Sequence, residues 1–211
     1  TAQQGNPFLR PEMNHDVSLA VVWKYIQAGI SYQVVKNAIL HQAAVQKGQD
    51  NAILIYYDNF GKSIPTMQAM IAASPTIGIW HPRLTLALVK QWLTMDSMGA
   101  KVELDQPLPV IQFSNTLTLP KGFTVNLDYT FQGKGDSRVY HMLKSTNTLN
   151  ASVRKGFLKN ALTVEVFAND ILDDQTGEMQ MFSNAYSLNQ WSKTSMRTYG
   201  ITLRYNFNTT Q

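Results

Sequence analysis

The feature that most limits what this chain can become is its closing stretch, Tyr199 to Phe207. Tyr199, Ile201, Leu203, Tyr205 and Phe207 are apolar, while Gly200, Thr202, Arg204 and Asn206 between them are small or polar. A period of two sends successive side chains to opposite sides, so the segment reads as a β-strand with one greasy face and one wet face. A strand of this length, at ~3.4 Å per residue and a tilt of ~40°, climbs roughly 20–25 Å, the height of the apolar band of an outer-membrane barrel. Aromatics open and close the apolar face, as in a strand that crosses two membrane interfaces.

The same alternation recurs along the chain. Val17, Leu19, Val21 and Trp23 lead into a tight turn at Lys24-Tyr25, after which Ile26, Ala28, Ile30, Tyr32 and Val34 alternate with mostly polar residues. A polar loop is expected near Gln42 to Asn51. An extended segment follows from about Ile53 to Ile77, with a bulge expected at Asp58 to Lys62. Trp80-His81-Pro82-Arg83 reads as a second tight turn, and Leu84, Leu86 and Leu88 as the next apolar face, although Leu84 to Leu93 also suits a short helix. After a loop from about Thr94 to Pro107, Ile111, Phe113, Leu117 and Leu119 run to the turn Pro120-Lys121-Gly122. Phe123, Val125, Leu127, Tyr129 and Phe131 then give the cleanest alternation of all. Leu149, Ala151 and Val153 lead to a turn at Phe157 to Asn160, and Leu162, Val164, Val166 and Ala168 follow it. The longest loop spans about Ile171 to Lys193.

These segments predict an all-β fold, an antiparallel transmembrane β-barrel segment of about nine strands. Short and long connections alternate, with the tight turns on one side, assigned to the periplasm, and the long loops on the other, assigned to the exterior. An odd number of antiparallel strands cannot close on itself, so residues 1–211 are expected to form part of a larger barrel.

Composition supports a polar rather than an ionic wet face. Charged residues make up 15%, against ~25% in a typical soluble domain. The mean hydropathy is −0.19, and no apolar run approaches the ~18 residues of a membrane helix. Cysteine is absent, which removes disulfides and thiolate metal sites. The net charge of +4 comes from scattered Lys and Arg, not from the basic runs that bind nucleic acid. Thr1 to Gly5 carry no signal-peptide pattern, so an export signal is expected to be cleaved or to lie outside this sequence.

Four segments resemble one family in order and spacing. Gly5-Asn6-Pro7-Phe8-Leu9-Arg10-Pro11-Glu12 resembles the Gly-Asn-Pro-x-Leu-Lys-Pro-Glu segment of TonB-dependent outer-membrane receptors, with Arg10 in place of the usual Lys. Tyr57-Asp58-Asn59-Phe60-Gly61-Lys62 resembles their Tyr-x-Asn-x-Gly-Lys segment. Leu162 to Ile171, ending Ala168-Asn169-Asp170-Ile171, is similar to the penultimate strand, and Gly200 to Phe207 to the closing strand, although Asn208 to Gln211 follow the final aromatic. The resemblance implies the C-terminal portion of a receptor barrel, without the plug domain and TonB box of the family. It implies uptake of a scarce nutrient such as a siderophore, cofactor, oligosaccharide or peptide. The implied partners are the lipid bilayer and lipopolysaccharide, the protein's own plug domain, TonB and the nutrient.

No residue is expected to carry bond-making chemistry, and no cofactor is expected. His15, His41, His81 and His141 lack ligand spacing. Asp173-Asp174-Gln175-Thr176-Gly177-Glu178 offers only part of a calcium-loop pattern. Ser145 lies four residues from His141, but nothing marks it as activated. Trp23, Tyr25, Trp80, Phe123, Phe157, Tyr205 and Phe207 are read as a periplasmic girdle, Trp92 and Tyr129 as its counterpart. Lys24, Arg83, Lys121 and Lys159 are read as interface anchors. Phe182, Tyr186 and Trp191 are the candidate ligand-binding aromatics, with loop packing the favoured alternative. Arg204, mid-strand on the polar face, is expected to face the lumen. The alternative reading is a smaller outer-membrane barrel acting as an adhesin or structural protein without energy coupling; a soluble β-sandwich or lipocalin-like binder is a third.

Overall fold

The computed structural model describes residues 2–45 and 53–207. In chain order these form β1 (Ala2–Gln4), β2 (Met13–Trp23), β3 (Ile26–Lys36), β4 (Ile39–Val45), β5 (Ile53–Asn59), β6 (Ile64–Ala73), β7 (Trp80–Gln91), β8 (Leu93–Ser97) and β9 (Ala100–Leu104). Then come β10 (Leu108–Leu119), a 3-10 turn at Pro120–Gly122, β11 (Phe123–Gln132), β12 (Gly135–Ser137), β13 (Tyr140–Met142), β14 (Thr146–Phe157), β15 (Leu162–Asn169), β16 (Thr176–Phe182), β17 (Ser187–Lys193) and β18 (Thr198–Tyr205). The described residues thus hold eighteen strands, nine of them in one sheet and the other nine in three smaller ones.

One sheet dominates. Its spatial order is β18-β15-β14-β11-β10-β7-β6-β3-β2, antiparallel throughout and open between β2 and β18. Register explains its two faces, because residues directly opposite each other share a side. One row runs Trp80–Leu117–Val125–Val153–Val166–Ile201 across six strands. The adjacent row on the other face runs His81–Thr116–Asn126–Ser152–Phe167–Gly200, polar in its first four positions. Ile201 and Leu203 are 69% and 70% exposed on the apolar face, so this sheet turns its grease outward instead of burying it.

The turns at one end are short: Lys24-Tyr25, 74–79, 120–122 and 158–161. Lys24 adopts a left-handed φ of 52°, which matches the twist a two-residue hairpin needs. The second turn lies earlier than the sequence suggested. The chain reverses through Ser74 to Ile79, with Gly78 at φ 61°, and Trp80 to Arg83 belong to β7. Pro82 is tolerated there because β6 pairs only with residues from Leu84 onward, leaving β10 as the sole flanking strand. The stretch around Leu84 is strand throughout, not helix.

At the opposite end the long connections are folded. β4–β5, β8–β9, β12–β13 and β16–β17 are hairpins, and β1 adds to β5 in parallel. The expected bulge at Asp58 to Lys62 is instead the place where the chain leaves the β4–β5 hairpin and enters the wall at Ile64. The expected polar loop at Gln42 to Asn51 is strand as far as Val45 and otherwise lies outside the described residues.

The buried apolar core of the described residues sits in this cap, not in the wall. Leu93 and Leu104, opposite each other in β8–β9, are 2% and 1% exposed. Ala38, Leu40, Ile64, Met95 and Val139 complete the cluster, with Phe60 and Phe182 packed on its flank.

Candidate recognition surfaces

Two surfaces carry polar chemistry: the wet face of the wall and the outer side of the cap. On the wall, side chains bond across strands where the register sets them side by side. Thr116 donates its hydroxyl to Asn126 Oδ1 at 3.0 Å, and Asn126 Nδ2 donates to Ser152 Oγ at 3.1 Å. Next to this row lies a cavity of about 340 Å³ lined by Asp128, Asn150, Ser152, Glu165, Phe167 and Asn169 among others. Phe167 is the aromatic on this face. Its ring covers Gly200, where an added Cβ would meet Cζ at 2.5 Å. Arg204 shares the face, opposite Thr163 and one step beyond the Glu165–Thr202 pair.

A buried amide stands on the apolar face of the wall. Asn115, opposite Pro82 and Leu127, is 8% exposed. The Trp80 indole N–H donates to Asn115 Oδ1 at 3.0 Å, so the ring both covers the amide and meets half of its hydrogen-bonding need. At the long-connection end, Tyr129 donates its hydroxyl to Asn147 Oδ1 at 2.7 Å. This is the arrangement of an aromatic with an apolar body and a wet tip.

The cap is held to the wall by buried polar side chains that replace missing strand partners. Gln91, 4% exposed, accepts from Arg138 N at 2.7 Å and donates Nε2 to Arg138 O at 2.7 Å and Leu104 O at 3.1 Å. Asp136, 2% exposed, accepts from Gln106 N at 2.7 Å and lies 2.5 Å from His141 Nδ1. No hydrogen bond joins Ser145 to His141 among the described residues, so the structure does not assemble that pair.

The two resemblance segments nearest the N-terminus meet in space. Asn59 accepts from Arg10 N at 2.7 Å and donates to Arg10 O at 2.9 Å and Asn37 O at 2.8 Å. Asn6 Nδ2 donates to Tyr57 O at 3.1 Å. Glu12 Oε1 accepts from Ile39 N at 2.6 Å, and its other oxygen lies 3.8 Å from Arg138. These asparagines therefore strap residues 5–12 onto the base of the β4–β5 hairpin.

The candidate aromatics separate. Phe182 packs against the cap core. Tyr186 is partly buried, and that burial raises its phenol pKa above the ordinary value, with Tyr140 adding to the shift. Trp191, opposite Glu178 on β17, is 66% exposed. The acidic run does not gather around one point. Asp173 accepts from Ser195 Oγ at 2.9 Å and faces Lys193 at 3.4 Å, and the Ser195 bond foremost holds its carboxyl below the usual range. Asp174 accepts from Asn147 at 2.7 Å and Lys144 at 3.3 Å, with the Asn147 bond the chief cause of its lowered pKa. Asp170, by contrast, buries both carboxylate oxygens without a hydrogen-bond partner among the described residues. His41 stacks on Tyr57 at 4.3 Å between centroids, while His15 and His81 lie in β2 and β7. Among the described residues, no three His, Asp or Glu side chains converge as metal ligands.

The read girdle residues Trp23, Tyr25, Trp80, Phe123, Phe157, Tyr205 and Phe207 all lie near the short-turn end, and Trp92 lies beside the cap. Asp136, Gln91 and the Asn115–Trp80 bond could not be read from sequence, because each depends on segments distant in the chain.

Comparisons with curated proteins and with solved structures found no match. A family model describing the outer membrane protein beta-barrel family matches residues 1–205. An open antiparallel wall with apolar side chains turned outward is the architecture such a match calls for, and the chain belongs to the outer membrane protein beta-barrel family and resides in the cell outer membrane.

Proposed function

We propose that this chain forms part of the barrel of a TonB-dependent receptor that takes up a scarce nutrient. The observation that carries the reading is the direction of the two edge strands. β2 and β18 both run from the cap toward the short turns. Two parallel edges cannot join antiparallel, so closure calls for further strands between them and a barrel wider than nine strands. Wide barrels of this class leave a lumen that holds a plug. The four family-like segments support the same reading, and two of them are bonded to each other through Asn6 and Asn59.

On this reading the wall encloses the path, the cap recognises the ligand, and bond-making chemistry has no part. Arg204 is assigned a carboxylate of the plug, and Trp191 a stacking contact with the nutrient. Phe182 and Tyr186 hold the cap in shape. The test is uptake of candidate nutrients by cells carrying the full-length protein, with and without TonB. Growth on a limiting nutrient that requires both the protein and TonB is expected. A Trp191→Ala variant should need about a fivefold higher nutrient concentration, as expected for a lost aromatic contact of roughly 1 kcal/mol. Uptake indifferent to TonB, with loss of surface attachment on deletion of the protein, would support the adhesin reading instead.

A further inference from the structure

Near the short turns, a charge lies on the apolar face. In the row Phe123–Lys155–Val164–Leu203 the register places Lys155 among apolar side chains turned to the bilayer. A lysine at mid-membrane on this face is costly, and the cost falls to ~0–1 kcal/mol only near an interface. Lys155 is near an interface, two residues before the end of β14 at the short-turn side. Its ammonium sits 4.3 Å from the Phe123 ring centroid and 4.9 Å from that of Phe157, a cation held between two aromatic faces.

Two more lysines adjoin it. Lys121 lies in the 3-10 turn that precedes Phe123. A Cβ on Gly122 would stand 3.8 Å from Gly156 O, so that turn packs against the end of β14. Lys159 lies in the turn just past Phe157, beside Leu158, which is 68% exposed. None of the three lysines has an ion pair among the described residues. No Asp or Glu occurs at 23–26, 73–80, 118–124, 155–163 or 203–207, the stretches that make up the short-turn end, although the chain holds 14 acids.

We propose that Lys121, Lys155 and Lys159 bind the phosphate of an anionic glycerophospholipid, such as phosphatidylglycerol, in the periplasmic leaflet. Its acyl chains lie along the apolar wall at Val164 and Leu203. The charge has no counter-ion among the described residues, Lys155 shares a row with bilayer-facing side chains, and exposed apolar side chains border it. A free phosphate would use the charge alone and leave that apolar border without a role. The site is separate from the uptake path on the opposite face, so it stands or falls apart from the receptor reading.

The test uses full-length protein in nanodiscs of phosphatidylethanolamine with a minor share of phosphatidylglycerol, followed by native mass spectrometry of the lipids retained. Retention of phosphatidylglycerol above phosphatidylethanolamine is expected. Lys155→Met should weaken it about fivefold, and the triple variant with Lys121→Gln and Lys159→Gln on the order of a hundredfold. Lys155→Arg, which keeps charge and ring contact, should retain it. Inorganic phosphate should not displace the lipid. Equal retention of both lipids, no change in the triple variant, loss in Lys155→Arg equal to that in Lys155→Met, or displacement by inorganic phosphate would each overturn the proposal.

Discussion

At the scale of single residues, side-chain amides and carboxylates take on work that strands do elsewhere. Asn59 makes three hydrogen bonds to backbone groups of two segments. Its removal leaves donors and acceptors without their partner, a cost of about 1–3 kcal/mol per group where water cannot replace it. Asn59→Ala should therefore loosen residues 5–12 and make them accessible to protease at concentrations that leave the parent protein intact. The pairs at Asp173 and Asp174 predict an acid-sensitive hairpin. Both carboxyls titrate below their ordinary value in the folded protein. Their stabilising effect is therefore present above the unfolded carboxylate pKa of about 4 and fades as pH falls through the lower folded values. Amide exchange in β16 and β17, corrected for its intrinsic pH dependence, should lose protection over that acidic range and not between pH 6 and 8. Both groups are partly exposed, so the effect on the stability of the whole fold is small.

At the scale of elements, the wall and the cap are built on opposite rules. Wall strands of 8 to 12 residues expose their apolar side chains to lipid, and the cap buries its own in a core like that of a small soluble domain. Gln91 joins the two. Replacing it by alanine removes the partner of the part-buried N–H and C=O of Arg138 and of Leu104 O, which should lower the free energy of cap opening by about 1–2 kcal/mol. Native-state hydrogen exchange should report this in β12, β13 and β16, with β10 and β11 unchanged. The legibility of the sequence divides along the same line. Alternation in β11 and β18 could be read directly because a lipid-facing strand must keep its period over its whole length. The β8–β9 hairpin could not be read, since it turns on Met98 and Gly99 at φ 51° and 80° rather than on the Asn-Gly or Asp-Gly pair that advertises such a turn. Pro82 misled for a related reason: proline usually marks a turn, and here an unpaired flank of β7 accepts it. The aromatics Phe182, Tyr186 and Trp191 were visible as a group, yet only the pairing of β16 with β17 separates the packed ones from the exposed one.

At the scale of the whole molecule, everything rests on one sidedness: odd-numbered residues of β18 meet lipid and even-numbered ones meet the lumen. Residues 1–211 hold no cysteine, so this stretch adds no background to single cysteines introduced into it. The most direct measurement places one at each position from 199 to 205 of the full-length protein in lipid vesicles, labels it with a fluorophore, and compares quenching by brominated acyl chains with quenching by a water-soluble agent. The account predicts strong lipid quenching at Ile201→Cys and Leu203→Cys and strong aqueous quenching at Thr202→Cys and Arg204→Cys, reversing at every step. Uniform aqueous quenching along the strand, or alternation with the opposite phase, would contradict it.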